Sequence, residues 1–218
     1  MSEQLHPAVL LIGMPGVGKG TQGKLLGKIP GLFHLSTGEI LRSLRDDTDD
    51  GRLVADCLRR GQLAPDDLML EIWQHWLAAE IEAGHYRPTE QVLLLDGIPR
   101  NRLQCERLSE HIDVLQVIYL NPHDEEPIVQ RLRQRAMIEG RSDDADESII
   151  RGRFEVYRRE TAPILNFYRP EVIRAIDPMG SSAEVLKRIL DVLSPVIVAT
   201  RGSTNQFDDR NRPPDDAK

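Results

Sequence analysis

Gly13-Met14-Pro15-Gly16-Val17-Gly18-Lys19-Gly20-Thr21-Gln22 is the stretch on which the reading of this 218-residue chain turns. It follows an apolar run, Ala8-Val9-Leu10-Leu11-Ile12, short and β-branched enough to be a buried strand. It leads into Gln22 to Lys28, which can continue as a helix despite its glycines. A strand, a glycine-rich turn and a helix N-terminus together make an anion site. Backbone N–H groups freed of side chains converge there, and the helix dipole adds partial positive charge. Lys19 supplies a full charge where the β- and γ-phosphates of a nucleotide would lie. The alternative is a glycine-rich turn that merely packs a helix on a sheet. One position departs from the strict Gly-x-x-x-x-Gly-Lys-Ser/Thr pattern: Gly20 stands where a hydroxyl residue normally meets magnesium, and Thr21 follows one residue later.

Outward from this loop, the chain alternates strand-like and helical segments. Phe33 to Leu35 is a short strand, and Ser36-Thr37-Gly38-Glu39 opens a helix, with Ser36 or Thr37 as its N-cap. Asp46 to Gly51 breaks that helix, and two more follow, Arg52 to Arg60 and Asp66 to Ala83. Val92-Leu93-Leu94-Leu95-Asp96 reads as a central strand covered on both faces. A helix then runs to about His111, and a strand from Val114 to Leu120. Helices over Asp124 to Ile138 and from about Ala145 to Tyr168, a strand over Val172 to Asp177 and a helix over Ala183 to Leu193 complete the pattern. Alternation of this kind implies right-handed βαβ units on a parallel sheet. The polar stretch 199–218 reads as a disordered tail.

A hydrophobic fraction of 40% and a charged fraction of 29% are those of an ordinary globular domain. A net charge of −7 argues against general nucleic-acid binding, which needs a basic surface. Cys57 and Cys105 make neither a zinc pattern nor a disulfide framework. No signal peptide and no stretch of membrane-spanning length are evident, so the expected location is the cytoplasm.

In an open α/β sheet, ligands bind beyond the carboxyl ends of the strands. There the sequence sets the glycine loop, then Ser36 to Glu39 with Arg42, then Asp96 with Arg100. A helix follows with Arg131, Arg133 and Arg135, and Arg141 lies just past its end. A phosphate cradle, a carboxylate and several arginines suit phosphoryl transfer. Asp96 can hold magnesium through water, or else serve as a helix N-cap. Arg133 reads as a surface residue.

These motifs resemble those of the adenylate kinase family. The resemblance rests on Gly13 to Gln22, Leu35 to Arg42, Gly61-Gln62-Leu63-Ala64-Pro65, Asp96-Gly97-Ile98-Pro99-Arg100 and Gly140-Arg141-Ser142-Asp143-Asp144. Phe154 to Tyr157, Thr161-Ala162-Pro163 and Tyr168 fit as well, and the order holds over residues 8–194. It implies an α/β, three-layer P-loop fold with a five-stranded parallel sheet. One domain would span 1–198, with a small mobile AMP-binding insertion at 36–65 and a short lid loop at 135–141. It also implies reversible transfer of the terminal phosphoryl group of MgATP to AMP, giving two ADP, by a monomer with no structural zinc.

By resemblance, Gly16, Val17, Gly18, Lys19, Gly20 and Thr21 would wrap the ATP phosphates, with Arg135 and Gly180 also on ATP. Thr37, Arg42, Gln62, Leu63, Ala64, Gly97, Ile98, Pro99 and Arg100 would hold AMP, and Gln104 would read its adenine edge. Arg141 and Arg153 would bridge both nucleotides. Lys19, Arg100, Arg135, Arg141 and Arg153 would carry catalysis, with Mg2+ near Asp96. The chain departs from the family at Ile98 (usually Phe), at Glu39 (often Asp) and in a spacing from Arg141 to Arg153 one residue longer, which leaves Arg151 as a substitute for Arg153. A UMP/CMP kinase shares the fold, and Asn101 and the stretch Gly140 to Asp144 lean that way; Thr37 and Gln104 lean towards AMP. A nucleotide-binding module without turnover is the reading from another class.

Overall fold

The computed structural model describes residues 5–45, 47–144 and 146–209. Five strands form one parallel sheet in the order β2-β3-β1-β4-β5: β1 His6–Gly13, β2 Leu32–Ser36, β3 Val92–Asp96, β4 Ile112–Leu120 and β5 Ile173–Ile176. Successive residues of a strand point to opposite faces, and this divides the core in two. Val9, Leu11, Val92 and Leu94 pack against Leu26 of α1 (Lys19–Leu26), Leu132 of α6 (Glu126–Glu139), Phe154 of α7 (Glu147–Val156) and Ile189 of α8 (Ser182–Asp209). Ala8, Leu10, Leu93 and Leu95 pack against Trp73 of α4 (Asp66–Glu82) and Leu108 of α5 (Arg102–Leu108). The result is the expected three-layer α/β fold. Two short helices, α2 (Thr37–Ser43) and α3 (Asp49–Arg59), make the excursion between β2 and α4.

Several element boundaries differ from the sequence reading. The break after α2 is shorter, because the Thr48 side chain accepts from Gly51 N at 3.0 Å and caps α3, with Asp49 and Asp50 in its first turn. Acidic residues favour that end of a helix dipole. Neither Ser36 nor Thr37 caps α2 through its hydroxyl; Thr37 Oγ1 instead donates to Asp96 O across the sheet edge at 3.2 Å. The helix foreseen from about Ala145 to Tyr168 is α7 followed by a π-turn at Tyr157–Thr161 and a 3-10 turn at Ala162–Phe167. Pro163, which lacks an N–H, prevents regular continuation. The polar composition of residues 199–209 suggested disorder, yet the backbone of α8 stays helical through Asp209 despite Pro195. Val185, Ile189, Leu193 and Ile197 anchor that helix in the core, and elongating an anchored helix costs little per residue. Residues 210–218 of the expected tail lie outside the described residues. No described helix is long and apolar enough to cross a membrane.

Candidate active site

The carboxyl ends of β1, β2 and β3 open on a cavity of about 770 Å³, a size that suits a nucleotide-scale ligand. Its floor is the turn between β1 and α1. Gly16 has φ +86, and a Cβ there would lie 2.7 Å from side-chain atoms of Ile128 and Leu132, so no other residue fits without displacing α6. Lys19 Nζ donates to Gly13 O at 2.6 Å and Met14 O at 3.0 Å. The ammonium is thus held over the loop rather than folded into solvent. Burial pulls the Lys19 pKa down to about 7; Asp96 opposes this, and Arg100, Arg153 and Arg135 add to it.

Asp96 is 6% exposed at the end of β3. Burial pushes its pKa up, but the His34 ring and the charges of Lys19 and Arg100 outweigh this, and the carboxyl sits below its usual range. His34 Nε2 lies 3.9 Å from Asp96 Oδ2, beyond hydrogen-bonding distance. A Cβ on Gly20 would lie 3.5 Å from the same oxygen, so the carboxylate faces the loop at the position that lacks a hydroxyl.

Arg42, Arg100, Arg131, Arg135, Arg141 and Arg153 line this cavity from three helices, α2, α6 and α7, and from the loops after β3 and after α6. Loss of water and the nearby guanidiniums, Arg141 for Arg42 and Arg153 for Arg100, lower both pKa values from the ordinary arginine range. Such mutual repulsion among cations is relieved by a polyanion, and the site is built to receive one. Two buried acids hold the cluster together. Arg135 reaches Asp144 Oδ2 through Nη2 at 2.5 Å and Nε at 2.7 Å. Arg153 pairs with Asp143 at 2.9 Å and also with Asp144. Arg141 pairs with Glu139 at 2.6 Å.

A narrower slot continues from this cavity, sharing Pro15, Gly38, Arg42, Gly97, Arg100 and Arg153 with it. Thr37, Gln62, Leu63, Ala64 and Gln104 line the slot, as do Met69, Tyr157 and Thr161. Arg100 is fixed between the two spaces: its Nε donates to Gly97 O at 2.9 Å, its backbone N donates to Gln104 Oε1 at 2.7 Å, and its carbonyl accepts from Thr161 Oγ1 at 2.8 Å.

Most residues singled out in the sequence thus come together. Gly16 to Thr21, Arg135 and Gly180 line the large cavity. Ile98 and Pro99 do not line either space: Ile98 is 2% exposed in the core, and both shape the turn from Gly97 to Arg100 from behind. Arg153 lies in the site, whereas Arg151 is on the surface, paired with Glu147 at 2.8 Å and Glu126 at 3.3 Å. Arg133 is exposed beside Glu147. Asn101, which leaned towards a pyrimidine acceptor, caps α5 by accepting from Gln104 N and donates to Asp66.

Arg131 was placed at this edge by the sequence but given no role of its own, and Thr161 and the pairing roles of Asp143 and Asp144 were missed. Arg131 stands four residues before Arg135, hence on the same helix face, and that spacing was a usable signal. The partners of Asp143 and Asp144 lie on other elements, where no local pattern reveals them.

The family model for adenylate kinase matches residues 11–173. An adenylate kinase of Prochlorococcus marinus (strain MIT 9211) is 40% identical over 166 residues, covering 74% of this chain and 82% of that protein. One from Thermus thermophilus is 39% identical over 188 residues, covering 84% and 94%. One from Flavobacterium psychrophilum is 34% identical over 193 residues, covering 85% and 97%. A glycine loop and an arginine cluster lining one cavity that continues into a second, together with this similarity over most of the length, lead to one conclusion: the chain belongs to the adenylate kinase family.

Proposed function

We propose that the large cavity takes ATP, that the adjoining slot takes AMP, and that Arg42, Arg100 and Arg153 meet phosphates from both sides. The enzyme interconverts adenine nucleotides, ATP and AMP giving two ADP. The observation that carries the assignment of sites is that the two spaces share Arg42, Arg100 and Arg153. Two polyanions can therefore meet over one set of cations, and no positioned water is needed as a nucleophile. The AMP phosphate is already an anion near neutral pH, so the work is alignment and charge dispersal.

On this reading Gly16 to Thr21 wrap the ATP phosphates and Lys19 follows the transferred group. Arg135 and Gly180 complete the ATP side. Thr37, Arg42, Gln62 to Ala64, Gly97, Arg100 and Gln104 form the AMP side, with Arg141 and Arg153 between. Mg2+ would supply charge neutralisation at the β- and γ-phosphates. Asp96 suits it, being ionised, buried and turned to the loop. Among the described residues no group of three or more His, Cys, Asp or Glu side chains is placed to hold a metal, so phosphate and water would supply most ligands.

Residues 36–65 would close over the nucleotides. The lid expected as a loop at 135–141 is helical from 135 to 139, the last turns of α6, and would move as that helix end with Gly140 and Arg141. Only Gly51 and Val54 of α3 are buried, so little apolar packing opposes its movement. Every group invoked belongs to one chain, which supports action as a monomer. Unpaired thiols at Cys57 and Cys105 suit the reducing cytoplasm. A steady-state assay of ADP formation from MgATP and AMP tests the reading. Tight nucleotide binding without ADP formation would leave only a binding module.

A further inference from the structure

Gln104 is 1% exposed, lines the slot and uses one half of each end of its amide internally. Its Oε1 accepts from Arg100 N at 2.7 Å, and its Nε2 donates to Asp66 Oδ1 at 2.7 Å. Asp66 is the first residue of α4 and lines neither cavity; it stands behind Gln104. Its carboxylate also accepts from Asn101 Nδ2 at 2.8 Å and 3.0 Å.

The two partners are chemically one-sided. A backbone N–H can only donate, and a carboxylate can only accept. Rotating the Gln104 amide by half a turn would set NH2 against the Arg100 N–H and carbonyl oxygen against the Asp66 carboxylate. Both hydrogen bonds would become repulsions in a buried place. The orientation of the amide is therefore dictated by its neighbours. What remains unused is one lone pair on Oε1 and one hydrogen on Nε2.

We propose that Asp66 is a specificity-determining positioning residue: it locks the Gln104 amide so that the acceptor selects a 6-amino base over a 6-oxo base. The inference rests on Gln104 reading the acceptor base. Adenine offers an N6–H donor beside the N1 acceptor, which complements the free acceptor and donor of the locked amide. Hypoxanthine offers the O6 acceptor beside an N1–H donor, and would be met only by the flipped amide. Cytosine shares the donor–acceptor pattern of adenine, so the lock separates amino from oxo bases, and the dimensions of the slot separate purine from pyrimidine.

The test compares kcat/KM for AMP and IMP, with ATP as donor, in the wild-type enzyme, Asp66→Asn and Gln104→Ala. Asp66→Ala serves as a second variant if the asparagine protein is poorly folded. Asparagine at this position can donate as well as accept, and alanine can do neither. Either loses the one-sided partner of Gln104 Nε2, so the AMP/IMP ratio is expected to fall by about tenfold, the effect of a hydrogen-bond mismatch, mainly through KM. A merely structural role for Asp66 would weaken AMP and IMP alike. An unchanged ratio in the Asp66 variants, with a collapsed ratio in Gln104→Ala, would overturn the lock and leave Gln104 as the reader. An unchanged ratio in Gln104→Ala would overturn the reading on which the lock depends.

Discussion

The Asp144 carboxylate, fully buried, is held by Arg135 at 2.5 Å and is shared with Arg153. One anion from the turn after α6 thus ties together two arginines on different helices that both line the large cavity. Without it those guanidiniums would repel each other and spread.

Asp144→Ala is expected to lower stability by about 3 kcal/mol, the scale for removing one member of a buried ion pair. Nucleotide should restore part of the loss, since phosphates would then separate the two guanidiniums. Urea unfolding with and without ATP measures both. A variant as stable as wild type would mean that the pair is not needed to hold α6 against α7.

Lys19→Met and Arg100→Ala are each expected to reduce kcat about 10²–10³-fold, the cost of one preorganised cation at developing charge. Neither should unfold the protein. Burial already works against the Lys19 charge, and methionine removes that penalty while keeping the length of the side chain. Steady-state rates with far-UV circular dichroism separate the two effects; a near wild-type rate in either variant would contradict the assigned roles.

Lys19 also gives the binding of ATP a pH dependence. With the free-site pKa lowered to about 7, the amine is mostly neutral at pH 8. A bound triphosphate raises that pKa, so binding at pH 8 takes up a proton and affinity falls as pH rises above 7. At pH 6 the amine is already charged and takes up nothing. Calorimetry in buffers of different ionisation enthalpy should show uptake approaching one proton at pH 8, absent from Lys19→Met. Equal uptake in both proteins would remove Lys19 as the source.

Gly97 has φ +92, and a Cβ there would lie 2.5 Å from Thr37 Oγ1. Gly97→Ala should therefore cost about 1–3 kcal/mol in backbone strain, and should also displace the Thr37 hydroxyl from Asp96 O. The combination should raise KM for AMP more than KM for ATP, because Thr37 lines only the slot. Equal changes in the two constants would show that the turn serves the whole site rather than its AMP side.

How much of this was legible in the sequence depended on range. The glycine loop, the apolar β3 and Arg100 are local patterns, and each stands where its pattern put it. The wall of the slot came with the motif Gly61 to Pro65. Long-range relations were hidden. Thr37 reaches Asp96 across 59 positions and Thr161 reaches Arg100 across 61, and no spacing rule anticipates either. Asn101 was misleading because it leaned towards a pyrimidine acceptor by resemblance, whereas its place before α5 makes it a cap. The helical continuation through residues 199–209 was missed because composition records polarity and not the anchoring of the turns before it.

The most direct test of the account is the acceptor panel: kcat/KM for AMP, UMP and CMP, with MgATP fixed and ADP formation as the readout. A slot whose polar groups mismatch uracil, and whose dimensions suit a purine rather than cytosine, should prefer AMP by roughly 10² or more over either pyrimidine nucleotide. UMP or CMP phosphorylated as well as AMP, or better, would contradict it.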